Sequence, residues 1–132
     1  MRLGELVLAK ANEVPDQIAV VFRDQKYSFS QLAATIRGAA AALRALGIGP
    51  GERIALLLPN CPPFFIGYYA ATLVDTVVVP ANPLLKPAEL AYIWADASIR
   101  LVITIPQLLQ NVHAAKAQLP HLEHVICVCQ LS

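Results

Sequence analysis

Thr76-Val77-Val78-Val79-Pro80-Ala81-Asn82-Pro83-Leu84-Leu85-Lys86-Pro87-Ala88-Glu89-Leu90-Ala91-Tyr92 carries the decisive pattern of this chain. A short β-branched run reads as a fully buried strand. Pro80, Pro83 and Pro87 hold the following loop extended, because each ring fixes φ and restricts the residue before it, and Pro87 then suits the first turn of a helix. Upstream, the apolar run at 53–58 is a second strand. Asn60 is placed to cap a helix whose first turn tolerates Pro62 and Pro63, with its body over 64–74. Downstream, a helix ending near residue 96 leads to a strand at 100–104, a helix at 106–119 and a last strand at 124–129. Strands separated by helices of this length imply right-handed crossovers and a mostly parallel sheet covered on both faces.

Toward the N-terminus the pattern changes. Ile18-Ala19-Val20-Val21-Phe22, a polar turn and Tyr27-Ser28-Phe29 alternate with period two and read as a β-hairpin. Ser30 stands as an N-cap for a helix over 31–46, with Leu32, Ile36, Leu43 and Leu46 on one stripe. Gly47 supplies its left-handed stop, and Gly49-Pro50-Gly51 turns the chain into the next strand. The expected fold class is therefore α/β: a mostly parallel sheet flanked by helices, with an N-terminal β-hairpin. The 132 residues fit a single unit, with no repeat, low-complexity tract or interdomain linker.

Composition excludes several function classes. The chain is 57% hydrophobic and only 14% charged, below the roughly 25% charge of an average soluble domain, which suits equally an Ala/Leu/Val-rich α/β core and a piece normally covered by a larger body. A net charge of +1, with scattered basic residues, gives no electrostatic footprint for nucleic acid. The apolar stretch between Arg53 and Lys86 is broken by Pro59, Pro62 and Pro63 into pieces too short to span a bilayer. Met1-Arg2-Leu3-Gly4-Glu5 does not open a secretory signal. Three cysteines, at 61, 127 and 129, form no disulfide framework and point to a reducing cytoplasm.

The candidate chemical motifs read mostly as structure. Gly47-Ile48-Gly49-Pro50-Gly51 closes a helix and precedes a strand, the reverse of the order a phosphate-binding glycine loop needs. His121, His124, Cys127 and Cys129 carry metal-binding letters, but an extended strand does not converge ligands on a tetrahedron, so the two cysteines read as small apolar residues in a buried strand. His113 has no acidic neighbour at helical spacing and reads as solvated. Cys61 lies at a helix start, where a thiol pKa can fall, yet no histidine accompanies it and it reads as packing. Phe64, Phe65, Tyr68 and Tyr69 form an aromatic face that reads as core in preference to an acyl tunnel.

Five segments in order and spacing resemble the adenylate-forming acyl-CoA synthetases: Pro15 to Val21, Tyr27 to Leu32, Leu46 to Ala55, Asn60, and Asn82-Pro83. The likeness covers residues 13–129, and Asn82-Pro83-Leu84-Leu85 is most similar to the bacterial fatty acyl-CoA type. The resemblance implies a partial N-terminal subdomain of that family's large domain. It further implies a complete enzyme in which a carboxylate attacks the α-phosphate of ATP, with Mg²⁺ screening the phosphates, before coenzyme A displaces AMP. The family's Ser/Thr/Gly-rich phosphate loop and its C-terminal lysine belong to later sequence. No catalytic, cofactor-binding or metal residue is therefore assigned here, and the chain alone is expected to be inactive. Its partner is expected to be the remainder of the synthetase, or a second copy through exposed apolar surface. The alternative is a free-standing interaction or assembly module on the same scaffold, with an intact enzyme of another class as a third reading. Asp75-Thr76 stands where the family has Gly-Ala, Ala95 to Ile99 replaces an acidic Ser-Gly-rich turn, and Lys86 replaces a capping threonine. A carboxylate at that first junction is expected to strain a φ > 0 position.

Overall fold

The structure is a computed structural model and describes residues 2–128. Helix α1 spans Leu3–Glu13, strands β1 and β2 span Ile18–Phe22 and Gln25–Ser28, and helix α2 spans Phe29–Ala45. Then come β3 (Arg53–Leu57), α3 (Pro62–Leu73), β4 (Val77–Pro80), α4 (Pro87–Asp96) and β5 (Leu101–Thr104). A 3₁₀ turn at Pro106–Leu108 leads into α5 (Leu109–Lys116), and β6 (His124–Cys127) follows. The hairpin is antiparallel, with an irregularity between Ile18 and Val20. The main sheet is fully parallel, in the order β4-β3-β5-β6.

The connections obey one handedness. Moving from β3 to β4, the chain crosses through α3 on one face; moving back from β4 to β5, and on to β6, it crosses through α4 and α5 on the other. Reversal of direction at constant right-handedness requires this change of face. Alternation along the strands fills both sides. Ile54, Leu56, Leu101 and Ile103 meet α2 and α3, while Ala55, Leu57 and Val102 meet α4 and α5. Trp94 is fully buried in the second cluster with its indole Nε1 unpaired, and buried Thr104 ties the strands together by donating to the Leu57 carbonyl at 3.0 Å.

Several element ends differ from the sequence expectation. Ser28, not Ser30, caps α2: its hydroxyl accepts the Gln31 N–H at 3.1 Å while the Gln31 side chain accepts the Ser28 N–H at 2.9 Å, a reciprocal capping box. Cys61 occupies the N-cap of α3 without a side-chain bond, so Asn60 is not the cap. β4 starts at Val77, because Thr76 turns inward and donates to the Ala71 carbonyl at 2.9 Å. α5 ends at Lys116, short of the expected 119. α1 had no sequence expectation at all.

Candidate functional site

In open α/β sheets, ligands gather beyond the carboxyl ends of the strands where adjacent connections leave to opposite faces. Here that point lies between β3, which feeds α3, and β5, which feeds α5. The loops around it are residues 58–61, 81–86 and 105–106. Buried Leu58, Cys61, Ala81 and Ile105 fix them, and the Asn82 side chain accepts the Leu84 N–H at 2.9 Å, leaving Leu84 88% exposed. A helix N-terminus binds phosphate through free backbone N–H groups. Pro62 and Pro63, the first two residues of α3, have none, and the Phe64 N–H is taken by the Cys61 carbonyl at 3.0 Å. The N-terminus of α3 thus has the right place in the fold, but its first residues offer no free N–H group to an anion.

The opposite end of the sheet carries an ion-pair cluster. Arg100 holds the Glu52 carboxylate, the Glu123 carboxylate at 3.0 Å and the Gly47 carbonyl at 2.9 Å, joining the entrances of β3, β5 and β6. Hydrogen bonding to Glu52, then to Glu123, raises the guanidinium pKa above its ordinary value. Arg53, Ser98 and His121 complete the rim of this depression; Arg100 is already matched by two carboxylates, and Arg53 donates to the Ala97 carbonyl at 3.2 Å.

The sequence-predicted letters are scattered. His113 is exposed on α5, as expected. Cys127 is exposed, because β6 is the sheet's edge strand, so its reading as a residue of a buried strand is corrected; Cys129 lies outside the described residues. Among the described residues no three His, Cys, Asp or Glu side chains group to hold a metal ion. Cys61 is fully buried. The aromatic face is real: Phe64 and Phe65 meet edge-on at 6.0 Å, Tyr68 and Tyr69 at 6.4 Å, with Phe64, Tyr68 and Tyr69 half-buried against the core and Phe65 40% exposed.

Two features escaped the sequence reading. The first is the docking of α1 onto α3. Arg2 clamps Asp75 with Nε to Oδ1 at 2.9 Å and Nη2 to Oδ2 at 3.1 Å, while the Gly4 N–H donates to Thr72 Oγ1 at 2.8 Å. Asp75 sits at φ 60°, so the left-handed junction is kept with a carboxylate in place of glycine. The second is an apolar groove of about 280 Å³ between α2, α3 and the outer half of the sheet, walled by Ala39, Ala42, Gly67 and Ala70 and floored by Ile103 and Ile126. A Cβ on Gly67 would stand 3.2 Å from Leu56, so this wall is kept low. The only sequence signals were the Asp75 departure and the small residues of two helices.

Among the described residues no helix is long and apolar enough to cross a membrane. The family model described as "AMP-binding enzyme" matches residues 7–132. The chain is 34% identical over 103 residues to the long-chain-fatty-acid–CoA ligase of Bacillus subtilis, covering 78% of this chain and 18% of that protein. It is equally 34% identical over 104 residues to 4-coumarate–CoA ligase 2 of Oryza sativa subsp. japonica, with coverage of 77% and 18%. The crystallised N-terminal domain of FACL13 from Mycobacterium tuberculosis superposes with a TM-score of 0.92 at 28% identity, over 97% of this chain and 34% of that domain. The chain thus spans about a fifth of these curated relatives and a third of the crystallised domain. A match across both hairpin and sheet, in one register, leads to the conclusion that the chain belongs to the AMP-binding, adenylate-forming acyl-CoA synthetase family and has the fold of an N-terminal part of its large domain.

Proposed function

We propose that this chain contributes the N-terminal scaffold of an AMP-forming acyl-CoA ligase and makes no acyl adenylate by itself. The observation that supports the reading is the pairing of a family fold with a switch-point helix whose first residues offer no free N–H group. The loop between β3 and α3 occupies the switch point, yet Pro62 and Pro63 replace the N–H groups that would hold a phosphate. Preorganised donors supply most of the stabilisation of charge developing in a transition state. The first residues of α3 offer no free N–H to a phosphate, and among the described residues no three His, Cys, Asp or Glu side chains group for a metal ion, so we assign ATP, Mg²⁺ and coenzyme A to other segments of the complete enzyme. The relatives named for a long-chain fatty acid and for 4-coumarate stand at the same 34% identity, and what they share is a carboxylic acid. The Asn82-Pro83-Leu84-Leu85 loop favours a fatty acid within that class. A reducing cytoplasm suits the three cysteines.

The test is carboxylate-dependent exchange of pyrophosphate into ATP, with a panel of fatty and aryl acids. The isolated chain is expected to give background exchange with all of them. Exchange that depends on the acid overturns the proposal.

A further inference from the structure

We infer that α1 is a releasable strap: it pivots at Val14 as one unit and uncovers Tyr69 and Leu73 on α3, while the sheet and the other helices stay folded. The inference does not depend on the family reading.

Three observations support it. The strap is lightly held. α1 has eleven residues, a length at which a helix is marginal without packing, and it rests on α2 and α3. Of those residues Gly4 and Ala11 are buried, Val7 and Leu8 are partly buried, and Leu3 and Leu6 stay exposed. Next, its root is pinned. The Phe29 N–H donates to the Gln17 carbonyl at 2.9 Å and the Ser30 N–H to the Pro15 carbonyl at 3.0 Å, so residues 15–17 stay with the hairpin and α2. Val14, between root and helix, has φ −134° and ψ 65°, outside the helical region, and a following proline disfavours helix at that residue. Motion of α1 therefore has a fixed axis. Finally, release orphans no buried polar group at the contact. Thr72 Oγ1 accepts the Gly4 N–H at 2.8 Å but also donates to the Tyr69 carbonyl at 2.7 Å, so it keeps a partner when α1 leaves. Arg2 and Asp75, with side chains 47% and 46% exposed, already reach water. A buried donor or acceptor left unsatisfied is what makes opening costly, and this junction creates none.

The two-point Arg2–Asp75 pair is thus the latch of the strap. Gly4 lies against the Tyr69 carbonyl and Leu73, so opening bares the end of α3 next to β4 and leaves the switch point at its other end in place. The latch regulates when that apolar surface is available.

The experiment is native-state amide hydrogen exchange on the full chain, comparing wild type, Asp75→Asn, Arg2→Gln and Glu123→Gln at equal protein concentration. Asparagine tolerates the φ of 60° at position 75, Arg2→Gln leaves that junction untouched, and Glu123→Gln loosens an ion pair at the opposite edge of the sheet. In wild type the amides of residues 7–13 are expected to exchange faster than those of β3 and β5. In Asp75→Asn and Arg2→Gln they are expected to exchange about fivefold faster again, with β3 and β5 unchanged and Glu123→Gln like wild type. Tryptic cleavage after Lys10 is expected to accelerate by the same factor. If Asp75→Asn does not fold, Arg2→Gln decides. Exchange of α1 in step with β3 and β5 in wild type overturns the inference, as does an unchanged α1 rate in Arg2→Gln. Equal acceleration of α1, β3 and β5, or acceleration of α1 by Glu123→Gln, overturns it as well.

Discussion

Asp75 sits at φ 60° just past the end of α3, a conformation in which a Cβ crowds the carbonyl at a cost of about 1–2 kcal/mol for most residues. Aspartate is among the few non-glycine residues that tolerate it, and Arg2 adds a two-point clamp from a helix 73 residues away in sequence. The clamp in turn raises the Arg2 pKa, first through the Asp75 hydrogen bond. A base whose folded pKa is raised contributes stability below its unfolded value and loses it only above the folded one, so the guanidinium gives the clamp no pH dependence near neutrality. Arg2→Ala is expected to lower the thermal midpoint in the wild-type background and to leave it unchanged in an Asp75→Gly background. Equal losses in both backgrounds would show that Arg2 acts without Asp75. Part of this was legible. The resemblance marks position 75 as a glycine site, so the departure stood out, but no local pattern announces a partner so distant. Ser98, at φ 54° beyond α4, repeats the device without a clamp.

Among the elements, those encoded by their own periodicity were readable, and those defined by contact were not. β3, β4 and β5 are compact apolar runs set off by proline and glycine, and their register follows from alternation between two cores. α1 is different. Gly4 lies in its first turn, a poor start by propensity, yet a Cβ there would stand 2.6 Å from the Tyr69 carbonyl and 2.8 Å from Leu73 Cγ. Glycine is thus demanded by helix-to-helix approach, which a single sequence does not display. Gly4→Ala, favourable in an isolated helix, is expected to destabilise the protein by about 1–3 kcal/mol through overpacking, read by chemical denaturation. An unchanged or raised midpoint would mean that α1 does not dock as described. The shift of the α2 cap from Ser30 to Ser28 has a similar cause. Tyr27-Ser28-Phe29 continues the strand alternation, which masks the Ser28 to Gln31 capping box lying across it. The switch-point crevice followed from the strand order, whereas the lack of free N–H groups in the first turn of α3 needed the N-cap to be placed at Cys61.

At the scale of the whole molecule, apolar surface is left facing outward. Val77 on edge strand β4 is 48% exposed, Val21 on the hairpin 62% and Leu84 88%, in a chain with 14% charged residues. Covering a few hundred Å² at about 25 cal/mol per Å² is worth several kcal/mol before the entropy of association. Unpaired strand edges add a template for pairing. The isolated chain is therefore expected to form dimers or larger species at micromolar concentration. Sedimentation across a hundredfold concentration range, with a hydrophobic dye as a second readout, checks this; a stable monomer that binds no dye would favour a domain evolved to stand alone. The position of Trp94 gives such experiments a built-in optical label. The single tryptophan of the chain lies in the α4/α5 layer, while Tyr68 and Tyr69 lie in the α2/α3 layer across the sheet. Emission excited at the indole band thus reports melting of one layer only. In a Tyr92→Phe variant, which removes the tyrosine of α4, coincidence of that trace with the tyrosine absorbance trace would tell whether the two halves of this sandwich come apart as one cooperative unit or in succession.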